Sequence, residues 1–434
     1  MEHAAPARFL GSHEATAPGP QVQVNFRPAV PRRGRHAELL HRQLPPPHAG
    51  LQVCVIIPAK NEADSLPATL AALAAQTDWH GQPLPPGSYE VIVLANNCTD
   101  ATAAVVRRQA KRYPHLPVHA ASLYLPRPDA HVGRARCLLM DVACARLEQM
   151  GSATGIIAST DADTRVAPTW VAAIQAEIAA GADAVGGRIL TEINAPALLP
   201  LRRIKDRDTA YRLMCARLED LIDPNPADPW PRHHQHFGAS LALTARAYCQ
   251  VGGLPAVRFL EDEALCQALL RHDLAVRHSP RVQVLTSGRQ QGRVEVGLSW
   301  QLREWLRMSQ RQCEPQVDNP VQLAALWQAR RHLRHRWAGG STRRLDVLAI
   351  CLGLPAATLA AHMQAAATFG ELWEAVLPTA RAAAVSAIPL SQALRMLPQL
   401  IRHYQPRGEA RGAAYAEASA FPAGLADSSR AVAR

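Results

Sequence analysis

The sequence predicts an α/β fold: a mostly parallel sheet with helices on both faces, followed by a helical C-terminal region. Two observations carry this. From Leu51 onward, short β-branched runs alternate with alanine-rich stretches of helical length, the pattern of strand–helix–strand units that build a parallel sheet. Past about Val296 the strand pattern stops and only helical segments follow.

Residues 1–50 are rich in Pro, His and Arg without an apolar centre, so they read as a flexible arm and not as a secretory signal. Within 51–295, strands are expected at Val53–Ile57, Glu90–Leu94, Gly155–Thr160 and Ala184–Leu190. Helices are expected at Ala63–Gln76, Asp100–Tyr113, Gly133–Met150 and Thr169–Ala180. Ser299–Arg311, Val321–Trp337 and the proline-punctuated stretch Leu345–Arg402 form a helical region over 296–405, and 406–434 lacks periodicity, as a disordered tail does.

With 434 residues, 48% of them hydrophobic, the chain can bury a large core, and 19% charged residues exclude disorder throughout. The net charge of +11 is carried by arginine, since lysine occurs only at 60, 111 and 205. Guanidinium groups grip phosphate oxygens in pairs, so a phosphate-bearing partner fits; a GC-rich genome produces the same bias. The basic residues lack the aromatic interleaving of nucleic-acid modules. Nine cysteines show no C-x-x-C pair and no zinc-finger spacing, as in a reducing compartment. Val347–Ala361 falls short of the roughly twenty apolar residues a membrane span needs and is broken by Pro355. A cytoplasmic protein, at most peripheral to a membrane, is expected.

In parallel sheets ligands collect beyond the carboxyl ends of the strands. There the chain places Pro58-Ala59-Lys60-Asn61-Glu62, then Ala95-Asn96-Asn97-Cys98-Thr99-Asp100, then Asp161-Ala162-Asp163; Glu261-Asp262-Glu263 comes later. Each cluster alone has a structural reading. Asn61 and Thr99 could be helix caps, Asp161-Ala162-Asp163 a capping turn, and Glu261-Asp262-Glu263 an acidic first helical turn. Taken together and in this order, they suit sugar transfer from a nucleotide sugar. A diphosphate leaves poorly unless a hard divalent cation neutralises its charge, and carboxylates are the ligands for such a cation. Asp161 and Asp163 are the expected metal ligands, for Mg2+ or Mn2+. An acceptor hydroxyl needs a base as it attacks, and Asp262 is the expected one.

Val53–Glu62, with Pro58, Asn61 and Glu62, resembles the P-x-x-N-E opening of glycosyltransferase family 2. Asp161-Ala162-Asp163 resembles its D-x-D motif and Glu261-Asp262 its E-D motif, and Phe237–Ser240 is similar to its acceptor loop. The resemblance covers about Leu51 to Arg293 and implies the Rossmann-like GT-A fold, a divalent cofactor and inversion at the anomeric carbon. It implies substrate-binding roles for Pro58, Glu62, Asn96, Arg134, Glu261, Arg289 and Arg293, the last two on a loop that closes over the diphosphate. The aspartate pair that many relatives carry after the second strand is Ala95-Asn96 here. Gln301-Leu302-Arg303-Glu304-Trp305 departs from the Q-x-x-R-W of processive synthases, which argues against a processive enzyme. The expected partners are a nucleotide-sugar donor and a lipid-linked or phosphate-bearing acceptor, with no nucleic acid. Arg330, Arg331, Arg334 and Arg336 offer peripheral membrane contact. The alternatives are a non-catalytic scaffold on the same fold and a nucleotidyltransferase that makes nucleotide sugars. The latter ordinarily has a glycine-rich loop where this chain has Pro58–Glu62.

Overall fold

Strand β1 (Val53–Ala59) is buried along its whole length, and its residues alternate between two cores. Cys54 and Ile56 join one, while Val53, Val55 and Ile57 join the other. A run without polar alternation is stable only in a sheet covered on both faces. A computed structural model describes residues 34–406 apart from 128, 152–153, 194, 256, 293–296 and 341–343, and shows that sheet.

Its further strands are β2 (Tyr89–Asn96), β3 (Val118–Leu123), β4 (Ile156–Ser159), β5 (Thr164–Val166), β6 (Ala184–Glu192), β7 (Leu241–Thr244) and β8 (Val276–Ser287). The order is β3-β2-β1-β4-β7-β6-β8-β5. Strands β1 to β4 are mutually parallel; β7 runs against both its neighbours, β8 lies parallel to β6, and β5 closes the edge antiparallel to β8. Covering helices are α1 (Arg35–Gln43), α2 (Leu66–Ala74), α3 (Thr102–Arg112), α4 (Val132–Gln149), α5 (Trp170–Ala179), α6 (Leu199–Ile222), α7 (Ala245–Gln250) and α8 (Glu261–Arg271). The C-terminal region contributes α9 (Leu298–Gln310), α10 (Pro320–Trp337), α11 (Leu345–Cys351), α12 (Ala356–Ala365), α13 (Phe369–Ala384) and α14 (Leu390–Tyr404). Two short strands among them, β9 (Gln316–Asp318) and β10 (Ala387–Pro389), pair antiparallel. This is the mostly parallel, helix-covered architecture with a helical C-terminal region that the sequence predicts.

Two expectations need correction. Residues 35–43 of the supposed flexible arm form α1, whose Ala37 and Leu40 bury in the core beside α4. Two apolar residues anchor this helix, too few to stand out against the charged composition around them. The C-terminal helices pack onto α6: Tyr211, Leu218 and Ile222 of α6 share one cluster with Ala324 of α10 and Leu390, Ala393 and Leu397 of α14. The basic row on α10 serves that junction. Arg330 pairs with Asp223 (2.6 Å) and Glu219 (2.7 Å), Arg334 pairs with Asp223, and Arg331 donates to the Ile222 carbonyl (2.9 Å). Three of the four arginines expected to meet a membrane are therefore engaged by the end of α6. The apolar stretch around Pro355 splits into α11 and α12, bent by 98°, and no single described helix is long and apolar enough to cross a membrane.

The first strands are locked by a buried ion pair. Arg146 of α4 donates through Nε and Nη2 to both oxygens of Glu90 on β2, each at 2.6 Å, and through Nη1 to the Pro45 carbonyl (2.8 Å). Burial alone would raise the Glu90 carboxyl, but the hydrogen bonds and charges of Arg146 and His119 outweigh it and hold the group at about 2, against an ordinary 4.5. A depressed folded pKa stabilises the fold above the ordinary value, and the gain is lost as pH falls toward the folded one. Glu90→Gln, which leaves Arg146 buried without its carboxylate, is expected to cost about 3–5 kcal/mol at neutral pH. Denaturation from pH 7 to pH 2 checks this: the gap between wild type and variant should narrow below about pH 4.5, and a gap constant with pH contradicts it.

Candidate active site

A cavity of about 520 Å3 opens beyond the carboxyl ends of β1, β2 and β4. The loops that shape it are fixed by asparagines in left-handed backbone, Asn61 (φ 54°) and Asn97 (φ 50°), a conformation asparagine tolerates better than most residues. Asn61 Oδ1 accepts from the Thr99 N–H (2.8 Å) and its Nδ2 donates to Thr99 Oγ1 (3.1 Å). The two residues expected as helix caps clasp each other instead, tying the β1 loop to the β2 loop. Asp100 does the bridging to the helices, accepting from Ala63 N (3.1 Å) and Thr102 N (3.0 Å). Asn97 is pinned to Leu125 by two hydrogen bonds of 2.9 Å. Asn96, nearly fully buried on the cavity lining, has an Oδ1 with no hydrogen-bond partner among the described residues.

The acidic clusters meet around one guanidinium. Arg136, buried in α4, donates from Nη2 to Asp161 (2.7 Å), from Nη1 to Glu261 and from Nε to Ser159 Oγ (3.1 Å). It is wrapped so closely by the β7 approach that a Cβ on Gly238 would overlap the guanidinium carbon. The Gly238 N–H also donates to Asp262 Oδ2 (2.7 Å), while Asp262 Oδ1 accepts from Glu263 N (2.9 Å). Asp262 is thus aimed by two backbone amides at the start of α8. Burial raises the Asp161 carboxyl, and the nearby Asp262 charge adds to this against the pull of Arg136. Asp163 is pushed up to about 6, by burial first and by the Asp161 charge second, with Arg289 opposing. Arg289, just past β8, grips Glu62 through two hydrogen bonds (2.8 and 2.5 Å) and lies 3.2 Å from Asp163.

Pro58, Glu62, Asn96, Asp161, Asp163, Glu261, Asp262 and Arg289 all line this one cavity. Arg134 does not; its N–H bonds His131 and its guanidinium reaches Cys137 Sγ at 3.9 Å. Residues two apart on a helix face opposite ways, so Arg136 enters the site and Arg134 turns from it. Arg293 lies outside the described residues. Sequence reasoning also passed over Arg188 of β6 and Asp208 of α6, which line the cavity. A cation inside the apolar run Ala184–Leu190 was the available signal for the first. Of the clustered histidines, His233 bonds the Ser279 carbonyl (3.1 Å) and His236 bridges Glu263 (2.6 Å) and His278 (3.2 Å); His234 faces the cavity.

The residues present suit a divalent cation. Asp161 and Asp163 offer hard carboxylate oxygens on the wall of one cavity. The only described trio of potential ligands already drawn together is Cys144, Glu148 and Cys249, none of which lines the cavity.

Residues 54–231 match the family model described as Glycosyl transferase family 2. Curated relatives include uncharacterized glycosyltransferases of Mycobacterium bovis and Mycobacterium tuberculosis, each 33% identical over 145 residues. The match covers 32% of this chain and 50% of each relative, so the chain spans about half their length. Similar solved structures include a mannosyltransferase of Pyrobaculum calidifontis in complex with GDP-Man and Mn2+ (18% identity, 85% of this chain, 90% of that chain, TM-score 0.40). Another is glucosyl-3-phosphoglycerate synthase of M. tuberculosis (17% identity, 67% of this chain, 88% of that chain, TM-score 0.35).

Because Gly238 both wraps Arg136 and holds Asp262, Gly238→Ala should overpack the site. The expected cost is about 1–3 kcal/mol, read as a lower melting temperature, with a displaced Arg136 in the variant's crystal structure. An unchanged melting temperature and an unmoved Arg136 would contradict the close-approach argument.

Proposed function

We propose that this chain is a metal-dependent glycosyltransferase that moves a sugar from a nucleoside-diphosphate sugar to an acceptor hydroxyl with inversion. The observation that carries the reading is the convergence of Glu62, Asp161, Asp163 and Asp262, from three separate segments, on one cavity at the strand ends. Pro58 and Asn96 would flank the nucleoside, with the Asn96 Oδ1 accepting from a base N–H. Asp163, with Asp161, would hold Mg2+ or Mn2+, which when bound neutralises charge developing on the diphosphate.

Asp262 is the proposed base. Its carboxylate takes the proton of the acceptor hydroxyl as that oxygen forms its bond to the anomeric carbon. The bond from that carbon to the diphosphate oxygen breaks with its electron pair, and a single displacement inverts the centre. The two amides on Asp262 aim the carboxylate, and Arg136 keeps neighbouring Glu261 and Asp161 from repelling it. Arg289 has phosphate oxygens to exchange for Glu62 once a donor arrives, the bidentate geometry suiting either partner.

Asp262→Asn tests the assignment, with donor turnover measured beside nucleotide affinity. Nucleotide affinity should stay within about twofold, while turnover should fall by about two to four orders of magnitude. An active Asp262→Asn alongside an inactive Glu261→Gln or Glu263→Gln would move the base to a neighbour.

A further inference from the structure

One charge on the cavity wall has no counterpart among the described residues. Arg188 lies in β6 where the pairing with β8 slips register between Gly187 and Arg188, an irregularity of the kind that re-aims a side chain. It is 8% exposed, and it lines the cavity. Among the described residues its guanidinium makes no hydrogen bond and no ion pair. A guanidinium does not shed its proton in a protein, so a buried one without a partner is a standing cost to the fold. Accordingly, burial pushes its pKa down and no neighbouring carboxylate offsets the effect.

The nearby polar groups do not supply the missing partner. Asp208, on the same cavity lining, is held by Arg212 at 2.7 Å. His234, also on the lining, has a buried Nδ1 that itself lacks a hydrogen bond. Asp163, the proposed metal ligand, sits farther along the sheet. Ser287 donates to the Asp163 carbonyl and pairs with Glu192, whereas Arg188 pairs with Gln283, four residues earlier. At about 3.3 Å per residue, that separation is on the order of 13 Å along the strand.

We propose that Arg188 binds an oxyanion, a carboxylate or a phosphate, carried by the acceptor, with His234 supplying a further hydrogen bond. This rests on the sugar-transfer reading and narrows it: the acceptor is an anionic molecule and not a neutral sugar. The unpaired cation is kept because the ligand completes it, and a guanidinium accepts both oxyanions in the same bidentate way.

The test uses the full chain with Mg2+ and saturating UDP or GDP, so that the donor site is filled. Thermal shift is then followed against inorganic phosphate and, separately, lactate. Wild type should show a saturable rise in melting temperature with at least one of them, phosphate or lactate identifying the anion. Arg188→Gln should lose that response, Arg188→Lys should keep part of it, and both should bind the nucleotide within twofold of wild type. Arg188→Met should melt higher than wild type in anion-free buffer, because it removes an uncompensated buried charge. The proposal is overturned if Arg188→Gln responds like wild type. It is equally overturned if wild type responds to neither anion, or responds only when the nucleotide is omitted, which would place the anion in the donor's diphosphate position. A wild type that binds neither UDP nor GDP removes the sugar-transfer reading itself, a result separate from any loss confined to the anion arm.

Discussion

Arg136 is the interaction on which the site depends. It rises from the first turns of α4, reaches the end of β4 through Ser159 and Asp161, and meets α8 through Glu261. These pieces are far apart in the chain, and the end of β4 and α8 carry carboxylates that repel one another. Placed between Asp161 and Glu261, a cation that cannot deprotonate offsets the repulsion among Asp161, Glu261 and Asp262. Gly238 follows from the same constraint: the backbone must approach the guanidinium so closely that no side chain fits. That approach in turn places an amide on Asp262. One buried charge therefore positions the α8 carboxylates, the β4 turn and the loop before β7.

A second cation, Arg289, deals with the charge that Arg136 leaves over. Glu62 and Asp163 follow the neighbouring strands β1 and β4, and Arg289 joins them from the end of β8. Its location past the sheet, on a segment leading out of the core, differs from the encased position of Arg136. Within the proposed mechanism that difference matters, since one guanidinium must stay fixed while the other trades a carboxylate for phosphate.

The parts that were legible in the sequence have a physical reason to be so. The first strand reads as Val-Cys-Val-Ile-Ile because it is buried on both faces, and its polar successors stand out because the strand ends there. The paired aspartates were visible for the same reason. What was hidden depends on partners distant in the chain. Arg134 and Arg136 differ only in which way a helix turns them, and nothing local says which side the cavity is on. The α10 arginines look like a solvent-facing basic stripe until Glu219 and Asp223 are seen opposite them. The helix at Arg35–Gln43 has two apolar contacts, below what composition can reveal. Arg188 was written into an apolar strand, and only its lack of a partner in three dimensions gives it meaning.

The proposed donor site is tested most directly by calorimetry of the full chain with UDP and GDP, with and without Mn2+, on wild type and Asp163→Asn. Wild type is expected to bind at least one of the two nucleotides, at least tenfold tighter with Mn2+, and Asp163→Asn is expected to lose that Mn2+ dependence while remaining folded. Binding that ignores Mn2+ in wild type, or an Mn2+ effect that survives in Asp163→Asn, would contradict the assignment of the strand-end aspartates.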